Sequence, residues 1–166
     1  MKDDFTLTAV YSDAAPPVIE LVSPADGAIV PGGETVDLTV TDDGSVQVWY
    51  SLDGDELVSL AEPWDISTST WTEGVRNLTV TVKDDDGYTV KASYSFDFDV
   101  CAPLLNIVEP AFGSLVPYGS QLIVDVSDRH LTTVNYSIDG GAPVEMVAPY
   151  TADLVGVLPG RHYVEV

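Results

Sequence analysis

Val46 to Gly54 reads VQVWYSLDG, and Thr132 to Gly140 reads TTVNYSIDG. Val46, Val48, Tyr50 and Leu52 occupy one phase of the first stretch, and Val134, Tyr136 and Ile138 the same phase of the second, before an Asp-Gly pair in each. A period of two is the side-chain spacing along one face of a strand. Asp-Gly suits a tight hairpin turn whose two central residues take positive φ. The stretch therefore predicts a half-buried strand running into a hairpin, written twice.

The two copies lie 86 residues apart, and that offset holds without a gap from Val18/Leu104 to Val80/Val166. Of the 63 pairs it aligns, 18 are identical, among them Pro24/Pro110, Gly27/Gly113, Pro31/Pro117, Gly33/Gly119, Asp42/Asp128, Pro63/Pro149 and Gly74/Gly160. Most are turn residues or alternating apolar residues, the positions that fix a backbone rather than a chemistry.

Working outward, Val18 to Ser23 is the first strand of module 1, and Thr35 to Thr41 the second, with Val36, Leu38 and Val40 inward. A short edge strand Glu56 to Leu60, a Pro63-Trp64 corner, an ambiguous Ser/Thr-rich stretch Asp65 to Trp71, and strands Arg76 to Lys83 and Tyr88 to Val100 complete it. Leu104 to Val108, Gln121 to Ser127, Thr132 to Asp139, Val144 to Val147 and a strand beginning at His162 repeat the order. No window sustains a 3.6-residue period, and turn signals recur at roughly 8 to 12 residues, the rhythm of β-sandwiches. The expected fold is all-β, as tandem sandwich modules. Residues 1–13 read as an orphan closing strand of another module, 14–17 as a linker, 18–100 as module 1, 101–103 as a linker, and 104–166 as module 2 without its closing strand.

Composition sets limits on partners. Acidic residues number 27 against 6 Lys and Arg, a net charge of −21. Such a field repels a phosphate backbone, which excludes nucleic acid as a partner and favours cations or a high-salt medium. The single cysteine, Cys101, cannot close an intrachain disulfide, so the cores alone must hold the modules. No apolar run reaches the ~20 residues of a transmembrane helix, and MKDDFTL lacks a signal-peptide core.

Pro24 and Gly27, the Tyr50 to Gly54 hairpin, Pro63-Trp64, and Gly74 through Asp84 with Gly87 form a pattern that resembles the Ig-like repeats of bacterial and archaeal cell-surface proteins. The resemblance implies an extracellular, non-catalytic structural or adhesive role, as a spacer or as a surface-layer or filament subunit. Partners would then be copies of the chain, neighbouring Ig-like modules, or a cell-surface glycan or protein. The alternative is an accessory module of a secreted enzyme, carbohydrate-binding or spacer. The Ig cysteine pair and its buried tryptophan are absent, and Trp49 falls on the outward phase of its strand.

The catalytic inventory is thin. His130 and His162 sit in no motif, and no nucleophile elbow, phosphate loop or Cys/His metal cluster occurs. Acids are the better candidates for chemistry: sandwich topology gathers Asp13, Asp42, Asp43, Asp84, Asp85 and Asp86 at one pole of module 1, and carboxylates in irregular loops suit Ca²⁺. Solvated acids serving solubility are the plainer account. Asn77 and Asn135 head N-glycosylation sequons on outward strand positions. Of Trp49, Trp64 and Trp71, the candidates for stacking on a sugar, the last two sit where corner or core packing is expected. The run Phe5 to Ser12, with Phe5, Leu7 and Ala9 on one phase, is a candidate for strand donation to the unfinished module 2. A segment cut from a longer array is the competing account.

Overall fold

The computed structural model describes residues 15–166, and all regular secondary structure among them is strand. The Phe5 to Ser12 run and its donation residues Phe5, Leu7 and Ala9 lie outside the described residues, as does Asp13. The chain divides into two compact units, one ending at Val100 and the other spanning Cys101–Val166.

In unit 1, β1 (Val18–Ser23), β3 (Thr35–Thr41) and β6 (Ile66–Ser67) form a three-stranded sheet in the order β1-β3-β6. A second sheet has the order β2-β8-β7-β4-β5, from β2 (Ile29–Pro31), β4 (Val46–Leu52), β5 (Val58–Leu60), β7 (Gly74–Asp84) and β8 (Thr89–Asp99). Alternation decides which side chains meet. Val36, Leu38 and Val40 of β3 join Val48, Leu78, Val80, Val82, Phe96 and Phe98 of the larger sheet in one buried cluster, while Thr35 and Thr39 stay exposed. Burying branched and aromatic side chains between two sheets supplies the main driving force for such a module.

The Ser/Thr-rich stretch contributes more than a loop. Ile66 and Thr68 are buried, and Trp71 packs edge-on against Phe98 with ring centroids 5.0 Å apart. Unit 1 therefore buries Trp71 in its core, in keeping with the core or corner packing expected for it. It comes from the connection between β6 and β7, where no alternation marks it.

At the central hairpin Asp53 and Gly54 take φ of 51° and 84°, and the Asp55 N–H donates to the Leu52 carbonyl at 2.8 Å. Positive φ at both central residues is what a type I′ turn requires. Asp139 and Gly140 repeat it at 53° and 70°.

Unit 2 reproduces the pairing of unit 1 at the 86-residue offset. β9 (Leu104–Glu109), β10 (Gln121–Ser127) and β13 (Thr151–Asp153) take the places of β1, β3 and β6. β11 (Val134–Ile138), β12 (Val144–Met146) and β14 (Val164–Glu165) take those of β4, β5 and β7. Val18 faces Thr41 as Leu104 faces Ser127, and Ser51 faces Thr79 as Ser137 faces Glu165. Even the irregularity between Leu21 and Ser23 recurs before Glu109, leaving Val22 and Val108 unpaired as a β-bulge. Cis prolines at 24 and 63 recur at 110 and 149. Among the described residues unit 2 has no counterpart of β2 or β8, and its buried cluster shrinks to Leu122, Val124, Val134 and Met146.

Phe98 is fully buried and touches both Trp71 and Phe96. Phe98→Ala should destabilise unit 1 by about 3–5 kcal/mol. Chemical denaturation followed by tryptophan fluorescence reads unit 1 alone, because all 3 tryptophans lie there. A loss under about 1 kcal/mol would show that β8 is not part of the cooperative core.

Candidate functional site

Three places gather polar side chains, and the first is the hairpin mouth. The Asp53 N–H donates to the Asn77 carbonyl at 2.8 Å. Its carboxylate accepts the Asn77 N–H through Oδ1 at 2.8 Å and pairs with Arg76 through Oδ2 at 3.0 Å. One side chain thus ties the β4 turn to β7. Unit 2 has the same clamp with one change: Asp139 accepts the Tyr163 N–H at 2.9 Å and meets Nδ1 of His162 at 2.6 Å. His162 stands where Arg76 stands in unit 1, and its Nε2 lies 2.6 Å from the Leu158 carbonyl. With acceptors at both nitrogens, the charged imidazolium is the better donor.

The electrostatics follow this geometry. The Asn77 N–H, and after it Arg76, hold the Asp53 carboxyl below the usual carboxylate range. His162 first, then the Tyr163 N–H, do the same for Asp139. The Asp139 carboxylate, then the Leu158 carbonyl, raise His162 above the ordinary histidine value. His162 sits in no sequence motif. Its position opposite an Asp-Gly turn, in Arg76's place, was the signal that could have found the clamp.

At the acid-rich pole, the β3–β4 loop and the β7–β8 turn do meet. The Ser45 hydroxyl donates to Asp85 at 3.2 Å, and the Gly44 N–H donates to Asp42 at 3.1 Å. Gly44 fits because a Cβ there would lie 2.4 Å from an Asp85 oxygen. The six-carboxylate calcium site expected from sequence is not assembled by the described residues. Asp84 is buried, and its Oδ1 accepts the Gly87 and Tyr88 N–H groups at 2.6 and 2.7 Å. That carboxylate is engaged in shaping the β7–β8 turn, and Asp43 and Asp86 are exposed. Among the described residues no group of three or more acidic, His or Cys side chains could hold a metal ion.

The third place is the outward face of the five-stranded sheet. Trp49 is half-buried there, facing Ser59 on β5 and Thr81 on β7, with Lys91 beyond Thr81 on β8. Gln47, Lys83 and Thr89 form the row to one side, and Ser51, Thr79 and Ser93 the row to the other. Ser51 and Thr81 are each only 8% exposed although they face outward. These three rows hold two of the chain's three lysines and no carboxylate, in a chain with 27 acids. Trp64 packs against the core and Trp71 is inside it, so of the three candidate tryptophans Trp49 alone faces outward. Asn77 and Asn135 are exposed on β7 and β11, and Cys101 is exposed at the start of unit 2.

Residues 17–92 match the family described as bacterial Ig domain. No curated protein matches the sequence. Among solved structures, the chain is similar to the fibronectin(III)-like modules of Clostridium thermocellum CbhA, at 21% identity and a TM-score of 0.45, over 84% of this chain and 80% of that one. It is similar to the Bacteroides ovatus mixed-linkage glucan utilization locus protein SGBP-B, at 19% identity and 0.44, over 90% of this chain and 43% of that one. It is also similar to the endo-beta-1,4-mannanase of Thermotoga petrophila, at 16% identity and 0.43, over 53% of this chain and 21% of that one.

The two clamps should respond differently to pH. The raised value of His162 means that its contribution is fully present below the ordinary histidine pKa and is lost as pH rises through the folded value. The lowered value of Asp139 means that its contribution is present above the ordinary carboxylate pKa and is lost as pH falls through the folded value. Unit 2 should therefore be most stable at about pH 4–6.5 and lose stability above that window. His162→Gln should flatten the alkaline limb, and His162→Arg should keep the clamp at high pH, as Arg76 does in unit 1. Parallel melting-versus-pH profiles for wild type and His162→Gln would refute the assignment.

Proposed function

We propose that the chain is a non-catalytic, extracellular structural segment whose tandem Ig-like modules serve as spacer or assembly units of a cell-surface protein. One observation carries this reading: unit 2 copies the registers, bulge and turn clamp of unit 1, whereas the side chains that could bind or react differ. Trp49 becomes Asn135, and the acid pair Asp42-Asp43 becomes Asp128-Arg129. Repetition has kept what builds a sandwich and varied what would make a site. The bacterial Ig match over residues 17–92 supports the same reading, because that fold is typical of non-catalytic domains of extracellular proteins.

Its partners are copies of the chain or neighbouring Ig-like modules. The test is surface exposure in the source cells. An amine-reactive reagent that cannot cross membranes should label Lys83 and Lys91, both exposed, on intact cells. Labelling that appears only after lysis would reject an extracellular location.

A second reading, as an accessory glycan-binding module, is favoured by the acid-free face around Trp49. An indole flanked by hydroxyl, amide and ammonium groups pairs an apolar surface for a sugar ring with donors and acceptors for its hydroxyls. If that face binds neutral polysaccharide, affinity electrophoresis should show retardation of wild type that Trp49→Ala removes. Equal mobility of both proteins across a panel of β-glucans and mannans would eliminate it.

A further inference from the structure

We propose that unit 1 binds an exposed arginine side chain of a partner protein, in the cleft between the β3–β4 loop and the Pro63-Trp64 corner that follows β5. The cleft has a volume of about 530 Å³, within the size range of ligand pockets. Val40 at the end of β3, Val46 at the start of β4 and Leu60 at the end of β5 give it apolar walls. Trp64 is half-buried, packing against the core and also lining the cleft. Its N–H donates to the Ala61 carbonyl at 2.9 Å, closing the turn that holds the indole there.

The occupant is argued from charge and shape. Asp42 and Glu62 line the cleft, and no lysine or arginine does. Asp85 reaches the same place, because a Cβ on Gly44, itself a lining residue, would stand 2.4 Å from Asp85 Oδ1 and 3.4 Å from Asp42 Oδ2. Glu62 is exposed and makes no hydrogen bond or ion pair among the described residues. Among those residues the carboxylates do not close into a group that could hold a metal ion. Spread acids beside an indole suit a broad organic cation better than a compact one. A guanidinium is planar and always charged, donates to more than one carboxylate and stacks on an aromatic face, whereas a lysine ammonium is a compact, strongly hydrated charge. The apolar walls suit the methylene stem behind it. The field of a chain with net charge −21 concentrates cations at such a cleft.

Unit 2 keeps the backbone of this place and changes its chemistry. Tyr150 stands at the position of Trp64, with φ of 54° against 62°, and its N–H donates to the Val147 carbonyl at 2.8 Å. The His130 N–H donates to Asp128 at 2.8 Å, as the Gly44 N–H does to Asp42 at 3.1 Å. Yet Ala148 replaces Glu62, Arg129 replaces Asp43, and His130 replaces Gly44. One acid is gone, a cation has entered the loop, and an imidazole stands where unit 1 carries no side chain. The turns that build the corner are common to both units, and the groups that would hold a guanidinium belong to unit 1.

The cleft is separate from the outward face around Trp49, so the proposal goes beyond both readings above and its failure would leave them standing. The test is amide NMR of the intact chain titrated with the end-blocked tripeptide Gly-Arg-Gly, with Gly-Lys-Gly, Gly-citrulline-Gly and a neutral glucan oligosaccharide as controls. The arginine peptide should move the amides of Gly44, Ser45 and Ala61 and the indole N–H of Trp64, saturating at millimolar concentration. The citrulline peptide, of the same shape without the charge, should bind at least about tenfold more weakly. Glu62→Gln, a change at an exposed residue that leaves the core intact, should weaken arginine binding about two- to fivefold. Trp64→Tyr, which installs the residue of unit 2, should weaken it as well. Glu56→Gln, at an exposed acid outside the cleft, should leave it unchanged. Four results would each overturn the proposal: no shift at those positions, equal binding of the arginine peptide and either peptide control, equal losses from Glu56→Gln and Glu62→Gln, or tighter binding of the oligosaccharide at the same residues.

Discussion

A single carboxylate at the mouth of the central hairpin ties together strands that would otherwise be joined only along their edges. Asp53 takes the αL backbone of the turn, accepts the Asn77 N–H and holds Arg76, so turn geometry, strand register and a charge pair are settled at one residue. Register matters because a slip of one residue would turn Val48 and Val80 outward and expose the core face of the sheet. Asp139 performs the same task in unit 2 with a histidine as its cation, which makes that clamp titratable where the arginine clamp is not.

Closure is the second constraint. In unit 1, β8 contributes Phe96 and Phe98 to the core and pairs on both edges, so the larger sheet reaches five strands and Val30 is sealed. Among the described residues unit 2 has the same turns and registers without a β8, and Val116, the counterpart of the sealed Val30, is 43% exposed. The contrast between the units isolates what one strand does for a sandwich. It brings in two phenylalanines and satisfies two backbone edges at once.

Charge is distributed with the same economy. Acids crowd the loops, where Asp84 and Asp26 accept backbone N–H groups and shape turns. The outward face around Trp49 carries none across three rows of the sheet. A carboxylate in a loop can cap an amide or face water, whereas one in the middle of a sheet face would lie close to its cross-strand neighbours. Farther along the same face Asp97 and Asp99 of β8 do carry carboxylates, so the acid-free region is confined to the part around Trp49.

Much of this was legible in the sequence. Alternation in Thr35–Thr41 and Val46–Leu52, the Asp-Gly pairs and the 86-residue offset determined the all-β fold, the inward faces and the repeated hairpin, because strand period and turn stereochemistry are local properties. Only the tertiary structure decided that Trp71 packs edge-on against Phe98, that Asp84 turns inward to cap an amide pair, and that His162 closes a clamp on Asp139. Each depends on a partner more than twenty residues away, or on the direction a side chain takes from an irregular backbone, and neither has a period that can be read along the chain.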